Sequence, residues 1–170
     1  MKIRKAAIED IKDISRIHAL SWKFAYRGII PQTYLDELKE DFWVTPFEIW
    51  LNNNILTVLV MIEESSIIGC TAYGKSRDKS LSDWGEIISI YLLPEYYNKG
   101  YGSKLLESAV QDLKQSGFKN IYLWVLKENL RARYFYEKNN WKCNKNEYIC
   151  EIGGKQLIEI SYIYSFDNII

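Results

Sequence analysis

Histidine is nearly missing from this chain, with His18 the single copy among 170 residues. Cysteine and proline occur only three times each. Cys70, Cys143 and Cys150 are odd in number and form no C-x-x-C pair, which argues against a disulfide framework. His18 has no evident ligand partner, so no metal site is expected. The cysteines are read as reduced, partly buried thiols. Surplus charge is also lacking. Lys plus Arg is 22 and Asp plus Glu is 22. No global field draws the chain to nucleic acid or to an anionic membrane. No run of about 18 apolar residues is present to span a bilayer. The charged start Met1-Lys2-Ile3-Arg4-Lys5 leads into no apolar stretch of signal-peptide length. The expected location is therefore cytoplasmic. Repeats, low-complexity stretches and Pro/Gly/Ser linkers are absent too, so residues 1–170 are read as one domain.

What is there suits a folded core. Hydrophobic residues make up 48% and charged residues 26%, a globular balance. A short strand is expected at residues 2–6. Glu9 to Lys23 reads as an amphipathic helix, with Ile11, Ile14 and Ile17 on one stripe. Pro31 opens a short helix that runs through Leu38. A further helix is expected from Phe42 to Leu51, ended by Asn52-Asn53-Asn54. Ile55 to Glu63 and Ile67 to Lys75 read as a β-hairpin turning at Ser65-Ser66. Glu86 to Leu93 is a strand that Pro94 stops, because proline has no N–H for the ladder. Gly100 to Ser116 reads as a helix capped by Gly117. Lys119 to Leu126 is a strand. Leu130 to Lys138 is a helix with Asn129 at its N-cap. Trp141 to Glu151 and Lys155 to Phe166 form a second hairpin around Gly153-Gly154. The predicted class is α+β, with a mixed sheet of about seven strands in the order β-α-α-α-β-β-β-α-β-α-β-β.

The chemistry points to the junction of the strand at Glu86 and the helix at Gly100. The intervening stretch is Leu93-Pro94-Glu95-Tyr96-Tyr97-Asn98-Lys99-Gly100-Tyr101-Gly102-Ser103. Glycines there let backbone approach a ligand closely. The first N–H groups of a helix lack intrahelical partners, and the helix dipole adds positive potential. Together they suit a diphosphate. A tight strand-to-helix turn that happens to use two glycines fits the same residues. A Walker loop is excluded because no G-x-x-x-x-G-K-[ST] occurs. A Rossmann loop is excluded because position 105 is Leu.

The stretch Glu86 to Leu106 resembles motif A of the GNAT N-acetyltransferase superfamily, Gln/Arg-x-x-Gly-x-Gly/Ala at a strand–helix junction. Trp124 to Trp141, with Asn129-Leu130-Arg131-Ala132-Arg133-Tyr134-Phe135-Tyr136-Glu137-Lys138, resembles that family's second motif, Asn-x-x-Ala-x-x-Phe-Tyr-Glu-Lys-x-Gly-Phe. Here Tyr97 stands in place of Gln/Arg and Asn140 in place of the glycine. The resemblance implies the GNAT fold and acetyl-CoA as cosubstrate. It implies that the loop amides of Asn98, Lys99, Gly100, Tyr101, Gly102 and Ser103 hold the pyrophosphate. The strand edge Ile90, Tyr91 and Leu92 would pair with the pantetheine arm. Asn129 would contact its amides, beside Tyr136. The backbone N–H of Leu92 would be the oxyanion donor and Tyr136 the general acid toward the thiolate.

The activity implied is transfer of acetyl from acetyl-CoA to a primary amine by direct attack. The acceptor, a small molecule or a peptide, is left open. A lysine-like amine has a pKa of about 10.4, so it must first lose a proton to a base. Glu86 is the candidate base, six residues before Leu92, an offset that matches the histone-modifying branch of the family. Glu86, Ile88, Ile90 and Leu92 would share one face if no bulge intervenes. A solvated glutamate at a strand start fits as well. Trp22 and Tyr26, spaced i and i+4, either line the acceptor pocket or belong to the core. His18 is read as packed or surface, and Arg131, Arg133 and Lys99 as solvated charges. The other function class is a non-catalytic acetyl-CoA-binding module acting as a sensor or interaction partner. The aromatic C-terminal hairpin offers an edge for a homodimer.

Overall fold

A computed structural model describes residues 1–166 of the chain. In chain order the elements are β1 (Lys2–Lys5), α1 (Ile11–Ala25), α2 (Gln32–Glu37), α3 (Val44–Asn52), β2 (Thr57–Glu63), β3 (Ser66–Lys75), β4 (Gly85–Leu92), α4 (Tyr101–Gln115), β5 (Asn120–Leu126), α5 (Leu130–Lys138), β6 (Lys142–Ile152) and β7 (Lys155–Ser165). The strands make one seven-stranded sheet ordered β1-β2-β3-β4-β5-β7-β6. All neighbours are antiparallel except β4 and β5. That parallel pair needs a crossover, which α4 supplies. The α+β class and the predicted element order both hold.

Apolar residues decide where each element sits. In β2, Leu59 and Met61 face one core cluster while Val58 and Val60 face the other. Burial on both faces explains why β2 reads as a continuous apolar run. Helix α4 covers the first face through Leu105, Leu106, Ala109, Val110 and Leu113, all buried. Each such leucine contributes about 2 kcal/mol of transfer free energy. Helices α1 and α3 cover the opposite face through Ile11, Ile14, Ile17 and Phe47. The first hairpin turns one residue earlier than expected. Glu64 (φ 48) and Ser65 (φ 70) take the left-handed positions, so Ser66 already belongs to β3. The second hairpin turns at Gly153 and Gly154, as its sequence indicates.

Candidate functional site

The parallel pairing of β4 with β5 covers only Gly85, Glu86 and Ile87 against Ile121, Tyr122 and Leu123. Beyond Ile87 the two strands part. A bulge accompanies the parting: β3 pairs Ala72 with Ser89 but Tyr73 with Ile87, leaving Ile88 without a partner. A bulge bends its strand and raises the local twist. A cavity of about 330 Å³ fills the resulting gap, lined on the β4 side by Ser89, Ile90, Tyr91 and Leu92 and on the α5 side by Asn129 and Tyr136.

One end of this cavity is formed by the loop that leads into α4. Asn98 (φ 61) and Gly100 (φ 79) both adopt left-handed backbone, and Gly100 is the N-cap of α4 with no side-chain cap. Asn98, Gly100, Gly102 and Ser103 all line the cavity. The N–H groups of Tyr101, Gly102 and Ser103 fall in the first helical turn, where no intrahelical acceptor exists. A Cβ on Gly100 would meet nothing within 4 Å, so the space in front of the cradle is open. Gly102 has a different task. A Cβ there would lie 3.2 Å from the Phe135 ring, so glycine lets α4 pack closely on α5. Lys99 and Tyr101 do not line the cavity. The Lys99 ammonium lies over the Tyr96 ring, 4.9 Å from its centroid, and the Tyr101 hydroxyl donates to Glu63. The side chains of these two residues are engaged away from the cavity. Tyr97 does line it, and the Arg131 guanidinium stacks on its ring.

The strand edge faces the same space. The Leu93 N–H donates to the Ile68 carbonyl. By antiparallel alternation, the N–H groups of Tyr91 and Leu93 point to β3, and those of Ile90 and Leu92 point into the gap toward β5. The Leu92 carbonyl accepts from the Ser21 hydroxyl at 2.8 Å, which holds this edge against α1. Tyr136 lines the cavity from α5 and is buried, and its hydroxyl has no hydrogen-bond partner among the described residues. Burial pushes its phenol well above the usual range. Asn129 accepts the Ala132 N–H at 3.1 Å through its side-chain oxygen, which leaves the amide NH₂ for the cavity.

Glu86 requires a correction. It was expected to share a face with Ile90 and Leu92 provided that no bulge intervened. The bulge at Ile88 breaks that alternation. Ile87 and Leu92 pack in the core under α4, so Glu86, next to Ile87, points to the opposite face. It does not line the cavity. Its carboxylate is 2% exposed and clamped by Arg77: Nη2 donates at 2.6 Å, Nε at 3.1 Å and the backbone N–H at 3.0 Å.

On the α1 side, Tyr26 lines the cavity and Trp22 stands behind it. The Trp22 indole N–H donates to the Tyr91 hydroxyl at 2.9 Å, and the Tyr91 and Tyr26 hydroxyls are 3.2 Å apart. Trp22 can only donate, so the Tyr91 O–H is free to pass its proton donation to Tyr26. His18 is 4% exposed, packed among Trp43, Phe47 and Tyr91. Its pKa is lowered to about 4 by desolvation, so it is neutral at pH 7. Nδ1 donates to the Ile14 carbonyl at 2.9 Å, and Nε2 therefore accepts from the Ser89 hydroxyl at 3.2 Å. The packed reading of His18 holds.

Sequence reasoning missed Ser89, Arg77 and Glu159. Glu159 lines the cavity from β7. Its only sequence signal is a carboxylate at an inward position of an alternating strand, between Leu157 and Ser161. Among the described residues no group of three or more His, Cys, Asp or Glu could hold a metal ion. Likewise, no described helix is long and apolar enough to cross a membrane.

Residues 16–141 match the model of the acetyltransferase (GNAT) family. The chain is 32% identical over 159 residues to an uncharacterised N-acetyltransferase, YuaI, of Bacillus subtilis, covering 93% of this chain and 89% of the relative. It is 29% identical over 145 residues to a spermidine N(1)-acetyltransferase of Thermoplasma acidophilum, covering 84% and 88%. Its fold is similar to the crystal structure of the PaiA N-acetyltransferase of Thermoplasma acidophilum in complex with coenzyme A. There the TM-score is 0.71 at 24% identity, with 97% and 98% of the two chains covered.

Proposed function

The chain belongs to the GNAT acetyltransferase family, and from that premise we propose that it transfers acetyl from acetyl-CoA to a primary amine inside the cavity between β4 and β5. One observation carries this reading. The uncapped start of α4, the β4 edge beyond Ile87 and the Tyr136 hydroxyl, which is unbonded among the described residues, all face a single cavity. The open space in front of Gly100 suits a bulky anion, so the residues present fit the coenzyme.

Acetyl-CoA supplies an acetyl group activated as a thioester. The amides from Asn98 to Ser103 are assigned to its pyrophosphate. Arg131, carried on Tyr97, supplies the side-chain donor that Gln or Arg gives in the family pattern. The outward N–H of Ile90 is assigned to an extended arm lying along the β4 edge as an added strand would. Asn129 offers its NH₂ to the same arm. The Leu92 N–H stabilises negative charge that builds on the acyl oxygen, a fixed donor in a dry site. Tyr136 remains an O–H donor throughout the working pH range, because burial raises its pKa. It is placed to stabilise and protonate the leaving sulfur. Tyr26 and Tyr91 are assigned to the acceptor's wall. Glu86 is assigned the role of orienting Arg77. The relative named for spermidine supports an amine acceptor. The test is release of free coenzyme thiol from acetyl-CoA on addition of primary amines. Absence of release with every amine, despite acetyl-CoA binding, would favour the non-catalytic binding module.

A further inference from the structure

Glu159 belongs to β7, opposite Leu126 of β5 and Tyr148 of β6. Strand alternation puts it on the face of Leu157, which packs with Tyr26, and away from Ile160 and Tyr162 under α4. It is the acidic residue among those lining the cavity. Among the described residues it joins no ion pair and no side-chain hydrogen bond. Ser161, next along the same face, keeps a buried hydroxyl with no partner among the described residues. A half-buried carboxylate that Arg77 influences only at a distance, with no ion-pair partner among the described residues, can still receive a cation.

We infer that Glu159 is the acceptor-side carboxylate, which receives the ammonium group of a cationic alkyl amine and takes its proton. This rests on the acetyltransferase reading above. It adds the substrate class and the base. Tyr26, Tyr91 and Trp124 line the same cavity, and their rings suit an alkyl ammonium that is leaving water.

The protons balance as follows. R–NH₃⁺ gives one proton to the Glu159 carboxylate and becomes a neutral nucleophile. The C–N bond forms and the C–S bond breaks. The nitrogen loses a second proton, which replaces the one that Tyr136 gives to sulfur. Glu159 returns its proton to water, so one proton is released per turnover.

The groups facing Glu159 come from every side of the cavity. Desolvation raises its carboxyl pKa, and Arg77, from the β3–β4 loop, offsets part of that rise. Tyr26 at the C-cap of α1 and Cys150 on β6 are pushed up by desolvation first and by the Glu159 charge as well, and Tyr148 is its cross-strand neighbour. A raised carboxyl pKa brings Glu159 closer to the working range of a base.

The test uses the whole chain with spermidine and an alanine-initiated tripeptide as probes. Binding is measured by calorimetry on protein loaded with coenzyme A, and kcat/KM is followed against pH. Wild type should bind spermidine more tightly than the tripeptide, the reverse order overturning the substrate class, and Glu159→Gln should weaken spermidine binding at least about 10-fold. It should lower kcat/KM about 100-fold and abolish the rising acid limb. Glu159→Asp should keep the limb and recover part of the rate, which a merely structural role would not give. Acetyl-CoA affinity should stay the same in both variants. An intact limb and unchanged probe binding in Glu159→Gln would overturn the assignment. So would a wild-type protein that binds acetyl-CoA but neither probe. Loss of acetyl-CoA binding by the wild type would instead strike the acetyltransferase reading itself.

Discussion

The Arg131 guanidinium lies 3.9 Å from the centroid of the Tyr97 ring, at the mouth of the α4 cradle. Phe24 flanks the pair, its ring 5.5 Å from Tyr97 and 5.6 Å from Arg131. The residue that departs from the family pattern therefore stacks on a cation that lines the same cavity. Arg131→Gln is expected to weaken acetyl-CoA binding about 10-fold, the scale of one charge-assisted hydrogen bond. Acetyl-pantetheine, which lacks the diphosphate, should bind wild type and variant equally. Calorimetry with both thioesters reads the difference. Equal losses for the two would remove Arg131 from phosphate binding.

Tyr136→Phe removes one hydroxyl that has no hydrogen-bond partner among the described residues. Stability should change little, because no hydrogen bond is broken. Turnover should fall about 100-fold while acetyl-CoA affinity moves less than about 3-fold. Steady-state rates beside a binding titration separate the two effects. A loss confined to affinity would make Tyr136 a wall of the site only.

Glu86→Gln should leave the rising limb of the pH–rate profile in place, since Arg77 engages both carboxylate oxygens. Its cost should appear in stability. Removing either charge strands the other, at about 2 kcal/mol once the exposure of Arg77 is discounted. Urea unfolding measures the cost, and the pH profile of the variant measures the rest. Disappearance of the limb would restore Glu86 as the base.

His18 makes stability depend on pH. Its folded pKa of about 4 lies below the usual 6.5 because the ring is desolvated. Between those values the unfolded chain binds a proton that the folded chain does not. The contribution is complete above about pH 6.5 and is lost as pH falls toward 4. From pH 7 to pH 5 the loss is about 2 kcal/mol. His18→Phe should reduce that pH sensitivity by a similar amount, read from urea midpoints at the two pH values. The same slope in the variant would assign the acid sensitivity to carboxylates.

Local signals made most of the fold legible. The apolar runs of β2 and β3, Pro94 after β4, the apolar stripe on α4 and Asn129 at the cap of α5 each act within a few residues. Gly100 was legible for the same reason, since its positive φ is a local demand. The misplaced feature was the face of Glu86. The bulge at Ile88 arises from pairing with β3, which no pattern inside β4 records. Glu159 and the Tyr97–Arg131 stack were hidden likewise, because separate elements bring each together with its neighbours.

The most direct measurement is a calorimetric titration of the wild type and Gly100→Glu with acetyl-CoA. A side chain at Gly100 is strained by the positive φ, and its carboxylate would enter the open space before the α4 amides. Micromolar binding by the wild type, lost at least about 100-fold in the variant, is the expected result. Equal affinity in both, or no binding by the wild type up to millimolar, would contradict the placement of the coenzyme in this cradle.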